Sequence, residues 1–390
     1  MPIRSIKWWW RTFFVLTVAA TTGIGTLSWA AGPEMLATTD RGLWPHPVTT
    51  RTGFDAASRA EILSFVRSFT KLISSRHTDE WAPWLRVKSV HLPSLGRWRT
   101  RMQTVVLANF QSAAANCGPR STLFCPDHSI KHWEDLARLA DQASSIPDDL
   151  KAWAQQQDKF YETYLYEQAR LAALFPAITS EILPLDDNEI LGDDQDDLSF
   201  LLTFDDGPTA AGGSTDRLTH FLRQSRVNGL FFLLGENLEQ RLRTGTRADL
   251  ASLYQGMCLA SHGARHVSHA KWSGWKESID TTDAAVGSIL PPGQAQIRYF
   301  RPPYGQRNET VANYINHRGL AAMFWNIDSQ DWNMGISAEQ VSDRVVSLML
   351  LWRRGIVLFH DTHPKAETAL PFIFRSTAGS GIRWVDCRQL

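Results

Sequence analysis

From residue 200 onward, short apolar runs recur along the chain, each closed by turn residues and followed by a polar stretch of helical length. The runs are 200–204, 229–235, 257–261, 298–300, 321–327, 356–359 and 383–385. Runs of this length alternating with candidate helices build βα units, and hence a parallel sheet or barrel. The residues with chemical potential fall directly after the runs: Asp205-Asp206, His262, Arg301, Asp328 and His360. In a (β/α) barrel those positions are the C-terminal strand ends, where active sites assemble. A single catalytic face is expected.

The first of these ends carries the most pointed chemistry. Thr203-Phe204-Asp205-Asp206-Gly207-Pro208 follows Phe200-Leu201-Leu202. Adjacent carboxylates raise one another's pKa and repel unless a cation sits between them. Neighbouring side chains of an extended segment point apart, so one Asp can bind a metal while the other faces substrate. The ordinary alternative is a polar turn, since Asp-Gly and Gly-Pro are common turn residues. His262 and His266 weigh against it, because a spacing of four puts two imidazoles on one side of a helical turn. Two imidazoles and a carboxylate are a frequent three-ligand set for zinc, leaving one position open. Such an ion lowers the pKa of a bound water to about 7. Arg301 and Asp331 also read as a structural ion pair, and His360, beside Asp361 and His363, as a core histidine with its hydrogen bonds satisfied.

Residues 198–390 resemble the polysaccharide deacetylase family, the NodB homology domain of carbohydrate esterase family four. Thr203–Pro208 resembles its first motif and His262-Gly263-Ala264-Arg265-His266 its second, His-Ser/Thr-x-x-His. Arg301-Pro302-Pro303-Tyr304-Gly305 resembles the third, Asp328-Ser329-Gln330-Asp331-Trp332 the fourth, and Leu358-Phe359-His360 the fifth. Gly229–Glu236 is similar to the family's second-strand region.

The resemblance implies an α/β fold, a distorted (β/α) barrel, and a metal-dependent hydrolase that removes N-acetyl groups from amino sugars of a glycan. It implies that Asp206, His262 and His266 hold one divalent ion, zinc first among candidates. Asp205 would be the general base that takes a proton from water, positioned by Arg301. The backbone N–H of Tyr304 would stabilise the oxyanion. His360 would be the general acid, tuned by Asp331, and Trp332 and Leu358 would line the acetyl pocket. Amide hydrolysis needs an activated water, a charge sink and a proton for a poor leaving group, and these residues supply one of each. Two departures concern loop geometry. Gly263 stands where the family has Ser or Thr, and Cys258 and Ser261 lie in a strand where it commonly carries Gly-His-Glu-Ile-Gly-Asn-His.

Upstream the texture is different. Asp55, a candidate N-cap, precedes Ile62, Phe65, Val66, Phe69 and Ile73 at helical spacing. A second helical stretch, 98–115, carries Met102, Val105, Val106 and Phe110, and a third begins near Pro147 with Leu150, Trp153, Phe160, Tyr164 and Leu171. An aromatic stripe of this kind reads as a bundle seam before it reads as a glycan platform. The expected organisation is an all-α helical domain at 32–185, an acidic solvated linker at 186–197, and the barrel at 198–390. A calcium loop is the alternative reading of this run, although the fixed ligand spacing and Gly position of an EF-hand are missing.

Arg4, Lys7 and Arg11 precede an uncharged stretch, 12–31, with Ser28-Trp29-Ala30 suited to a signal peptidase. The stretch also has the length of a membrane span, with Trp8, Trp9, Trp10 and Trp29 as flanking aromatics. Residues 1–31 are thus a signal peptide or an N-terminal anchor, with membrane contact through 8–31 in the second case. Both place the chain in a periplasm, a cell envelope or outside the cell. An oxidising compartment favours a Cys117–Cys125 disulfide, and Cys258 and Cys387 offer a second pair. Lys+Arg and Asp+Glu are both 40, so no basic field exists to draw nucleic acid. The expected partner is an N-acetylated glycan, and short loops at the strand ends favour an extended groove. A hydrolase of a small amide, and an inactive envelope-binding protein, are the competing classes; the intact ligand, base and acid set argues against the latter.

Overall fold

Helices come first. The computed structural model describes residues 35–117, 123–126, 128–142 and 147–390, so the expected export segment lies outside the described residues. Before the sheet come α1 (Arg51–Phe69), α2 (Trp81–Leu85), α3 (Leu92–Ala114), α4 (Trp133–Gln142) and α5 (Lys151–Leu174). The three stripes read from the sequence lie on α1, α3 and α5. Their Phe65, Phe69, Phe110, Trp153, Phe160 and Tyr164 are buried, as a core seam requires. Helix α4 buries only Leu136 and Ala140, too thin a stripe to read in advance. The start of α1 also differs from expectation. Thr50 is the N-cap, accepting the Gly53 N–H at 3.0 Å. Asp55 lies inside the helix, buried, and pairs with buried Arg353 at 2.8 Å. A buried guanidinium demands a carboxylate, and that demand sets the role of Asp55.

The sheet holds β1 (Ser199–Asp205), β2 (Leu230–Leu233), β3 (Cys258–Ser261), β4 (Tyr299–Phe300), β5 (Ala321–Ala322), β6 (Ile327–Asp328), β7 (Gly355–His360) and β8 (Arg383–Trp384). Its order is β5-β4-β3-β2-β1-β7-β6, with β8 beside β1, and the pairings are parallel. The run 321–327, expected as one strand, is divided between β5 and β6, the two edges of the sheet. Residues 323–326 cross from one edge to the other, so the sheet must curl almost closed. This is the distorted barrel. Between strands run α6 (Ser214–Gln224), α7 (Gly235–Leu242), α8 (Arg247–Leu253), α9 (Trp275–Gly287), α10 (Glu309–His317), α11 (Ala338–Trp352) and α12 (Lys365–Thr377).

Strand alternation positions the site. Leu202, Phe204, Phe231, Leu259, Val357 and Phe359 face the larger core. Leu201, Leu230, Phe232, Cys258, Ala260, Ile356 and Leu358 face the second. Extending the second set with period two reaches Asp205, His262 and His360, so three chemical side chains share one face by construction. Asp205 and His360 are register partners in neighbouring strands.

Helix α11 binds the two halves together. Its residues from Arg344 through Trp352 are all buried, a helix covered on every side. The helical region covers the side turned away from the sheet, and one hydrophobic core runs through both. Ser58 Oγ donates to Leu350 O at 2.6 Å, Asn109 to Leu351 O at 3.2 Å, and Trp352 Nε1 to the Tyr164 hydroxyl at 3.1 Å. Buried Arg344 pairs with buried Glu167 of α5 at 2.7 Å.

The acidic connector is solvated at Asp187, Asn188, Asp194 and Asp196, as expected, but two of its carboxylates are drawn into the fold. Glu189 is buried and accepts Arg307 Nε at 2.7 Å, while the same guanidinium donates to Ser180 O, Leu183 O and Gly305 O. Asp197 accepts Arg353 Nε at 2.9 Å. These carboxylates are counter-charges to arginines that the barrel buries. Disulfides join Cys117 to Cys125 and Cys258 to Cys387, so the second pairing, left open by the sequence, ties β3 to the C-terminal segment. No helix among the described residues is long and apolar enough to cross a membrane.

Candidate functional site

β1 ends on Asp205, which is 3 % exposed. Arg301, placed by the end of β4 and fully buried, donates Nη1 to Asp205 Oδ1 at 2.7 Å and to Thr203 Oγ1 at 3.0 Å, and Nε to Met323 O at 2.9 Å. Burial pushes the Asp205 carboxyl up, Arg301 and His360 pull it back, and it settles at about 6. The carboxylate form is present at neutral pH.

Asp206 comes next, and oxygens of both carboxylates approach His262 Nε2, at 3.4 Å from Asp206 and 3.7 Å from Asp205. The Asp206 φ of 81° lies in the left-handed region, an unusual conformation for a residue other than Gly. Asn237 Nδ2 holds the Asp206 carbonyl at 2.7 Å. The following Gly207 is required: a Cβ there would sit 2.0 Å from Oδ2 of Asp361, a buried carboxylate that accepts Thr215 Oγ1 at 2.8 Å. Local sequence does not mark the supporting roles of Asn237 and Thr215, which come from other segments of the chain. Asp361 follows His360 directly, and that adjacency is the only signal of its role.

His262 Nε2 lies 3.4 Å from Asp206 Oδ1, and His266 Nε2 lies 3.6 Å from the same oxygen. Asp206, His262 and His266 are the group among the described residues whose ligand atoms all fall within 4.8 Å of one another; the acidic connector gathers no such set. Two observations test the fit to a cation. Asp206 Oδ1 is buried with no hydrogen-bond partner. His262 Nδ1 donates to Arg301 O at 2.6 Å, so its proton is on Nδ1 and the Nε2 lone pair faces Asp206. Burial, then His266, keeps His262 well below the usual imidazole range, and burial also lowers His266 against the pull of Asp206. Neutral imidazoles beside an orphaned carboxylate oxygen are a zinc-type donor set. The residues fit a divalent ion.

On the other flank, His360 Nδ1 donates to Asp331 Oδ1 at 2.7 Å, and its backbone N–H to Oδ2 at 2.9 Å. Burial alone would lower the imidazole, but Asp331, then Asp206 and Asp205, raise it to about 10. Tyr304 has a left-handed backbone, with φ 59°, and its ring meets His266 edge-on at 4.3 Å. Trp332 is 38 % exposed beside Asp331. Leu358 is buried in the second core, between the β1 and β6 partners Thr203 and Asp328.

The helical domain and the connector each reach this face through one ion pair. Arg344, paired with Glu167, donates Nε to Asp328 O at 2.9 Å, fixing the start of the segment that carries Asp331 and Trp332. Arg307, paired with Glu189, donates to Gly305 O at 3.0 Å, next to Tyr304.

Residues 192–323 match the family model described as polysaccharide deacetylase. The chain is 32% identical over 180 residues to a chitooligosaccharide deacetylase of Bradyrhizobium sp. (strain ANU 289), covering 45% of this chain and 76% of that protein. It is 29% identical over 188 residues to a peptidoglycan-N-acetylglucosamine deacetylase of Bacillus cereus, covering 46% of this chain and 66% of that protein. A solved family 4 carbohydrate esterase from Streptomyces lividans, in complex with acetate, aligns with TM-score 0.40 at 30% identity, covering 49% of this chain and 94% of that one. The chain belongs to the polysaccharide deacetylase family.

Proposed function

We propose that the protein is an exported, metal-dependent deacetylase that hydrolyses the N-acetyl groups of an amino-sugar polysaccharide. The observation that carries this reading is the orphaned Asp206 oxygen facing two neutral imidazoles, with Asp205 and His360 paired in register on neighbouring strand ends. The names of the chitooligosaccharide and peptidoglycan-N-acetylglucosamine deacetylase relatives support the substrate class. Two disulfides support an oxidising compartment and hence export.

Asp206, His262 and His266 are the proposed ligands, and zinc is the ion their chemistry favours. A divalent ion there supplies a Lewis acid that acidifies water and draws charge from the acetyl carbonyl. Asp205, held by Arg301, takes the proton of the attacking water. The Tyr304 N–H donates to the oxyanion. His360, charged through its bond to Asp331, gives its proton to the amide nitrogen as the carbon–nitrogen bond breaks, so acetate and a free amine leave. Trp332 and Leu358 are assigned to the acetyl pocket. Within this reading the barrel at 198–390 is the catalytic domain, the helices at 32–185 and the connector at 186–197 are its support, and 1–31 is the signal peptide or anchor.

Acetate release decides it. The full chain would be assayed on chitin oligomers, peptidoglycan, poly-N-acetylglucosamine and acetylated xylan, with and without a chelator. Release from at least one N-acetylated glycan, abolished by chelator and restored by zinc, is expected. Release that a chelator leaves untouched, or none from any N-acetylated glycan, overturns the proposal.

A further inference from the structure

The loop between His262 and His266 is held by a group that neither comes from the loop nor takes part in the chemistry above. Ala264 N–H donates to Ser278 Oγ, on α9, at 2.7 Å. Ser278 Oγ lies 3.1 Å from His269 Nε2, and His269 Nδ1 lies 3.0 Å from Val267 O. The direction of each bond follows from its ends. A carbonyl only accepts, so Nδ1 carries the His269 proton and Nε2 is the acceptor. The Ser278 hydroxyl therefore donates to His269 while accepting from Ala264. The chain of bonds begins at residue 264 and ends at residue 267, bracketing Arg265 and His266.

Its parts are dry and fixed. His269 is fully buried, Ser278 is 2 % exposed, and the His269 ring meets Phe300 and Trp272 edge-on. Gly263 shows why the hydroxyl comes from another element. Its φ is 82°, and a Cβ there would approach His269 Cε1 to 2.7 Å and Ser278 Oγ to 2.9 Å. The volume that a side chain at 263 would need is occupied by the bracket itself. A Ser or Thr at 263, the residue type carried there by the family, would have to displace the His269 ring and the Ser278 hydroxyl.

We infer that Ser278 and His269 form a positioning relay that holds the His266 end of the ligand loop, with α9 supplying the hydroxyl that Gly263 lacks. Neither residue touches substrate. They act through His266, whose imidazole must keep its lone pair aimed at the point shared with Asp206 and His262. This rests on the metal reading proposed above, and the test separates the two.

The test is the zinc affinity of the full chain, measured by competition with a chromogenic chelator, with the melting of the metal-free protein as the folding control. Ser278→Ala should weaken zinc by about 10–100-fold, the range for outer-shell partners, while Ser278→Thr, which keeps the hydroxyl, stays within about threefold of wild type. His269→Phe fills the same space with a ring that accepts no hydrogen bond. It should weaken zinc as Ser278→Ala does, and the double variant should lose no more than either single one. Zinc affinity in Ser278→Ala or His269→Phe within about twofold of wild type overturns the relay. If Ser278→Ala fails to fold, His269→Phe carries the decision alone. A wild-type chain that binds no zinc overturns the metal reading instead.

Discussion

His360 gives both its Nδ1 proton and its backbone N–H to one carboxylate, that of Asp331, at 2.7 and 2.9 Å. The ring is thereby fixed in angle, and Nε2 is left as the nitrogen that exchanges protons with the site. The same pairing raises the imidazole to about 10 against the opposing effect of burial. The acid form is therefore present below that pKa and is lost as pH rises through it. Asp205, at about 6, gains its basic form as pH rises through that value. A bell-shaped rate profile follows, with the acidic limb belonging to Asp205 and the alkaline limb to His360. Asp331→Asn removes the charge and should bring the alkaline limb down by roughly one to three pH units. An alkaline limb in the same place, measured as kcat against pH, would separate Asp331 from the tuning of His360.

His360→Ala should discriminate between leaving groups. A sugar amine needs a proton in order to depart, whereas the aryloxide of an activated acetate ester does not. Loss of the acid should slow amide hydrolysis by ~10²–10⁴ and the ester far less. Equal losses on both substrates would make His360 structural.

Asp205 and the ligand set should separate in the same way. Asp205→Asn keeps a neutral isostere against Arg301, so zinc content should stay near one per chain while the rate falls by ~10²–10⁴. His262→Ala or His266→Ala should instead lose the ion, and activity with it. Metal analysis after gel filtration reads the first effect and acetate release the second. Unchanged metal and activity in either His variant would remove the three residues from the ligand role.

The sequence made the sheet legible because burial on both faces leaves continuous apolar runs, and because chemistry sits just past their ends. That placement put Asp205, His262 and His360 at one end of the sheet, and the strand bounds with period two put them on one face. The division of 321–327 was not legible, since an apolar run does not say where a chain leaves one sheet edge for the other. The long-range ion pairs were hidden for a related reason. Glu167 with Arg344, Glu189 with Arg307 and Asp55 with Arg353 join segments far apart in the chain, and nothing local marks any of these residues as buried. One clue was present: Val345-Val346-Ser347-Leu348-Met349-Leu350-Leu351-Trp352 is apolar all round, and such a helix must be covered on both sides. It implied that the helical half lies against the barrel. Gly263 was legible as a departure, but Ser278, on another helix, was not legible as its compensation.

The Glu167–Arg344 pair is buried within that cover. Both side chains are nearly inaccessible, 4 % and 1 % exposed, and Arg344 also holds Asp328 O at the start of the segment bearing Asp331. Glu167→Ala leaves a guanidinium buried without its counter-charge, which costs ~3–5 kcal/mol when one partner of such a pair is removed. Urea unfolding of the full chain should show this loss. Because Arg344 reaches the active face, the surviving folded enzyme should also lose kcat at constant zinc content, as Asp331 loses its fixed distance from His360. Glu167→Gln keeps the shape and one acceptor, and should lie between wild type and Glu167→Ala in both measurements. A barrel begun at residue 186 lacks the whole cover of α11 and should aggregate or melt without cooperativity. A soluble, fully active 186–390 fragment would show that the helices are dispensable to the catalytic face.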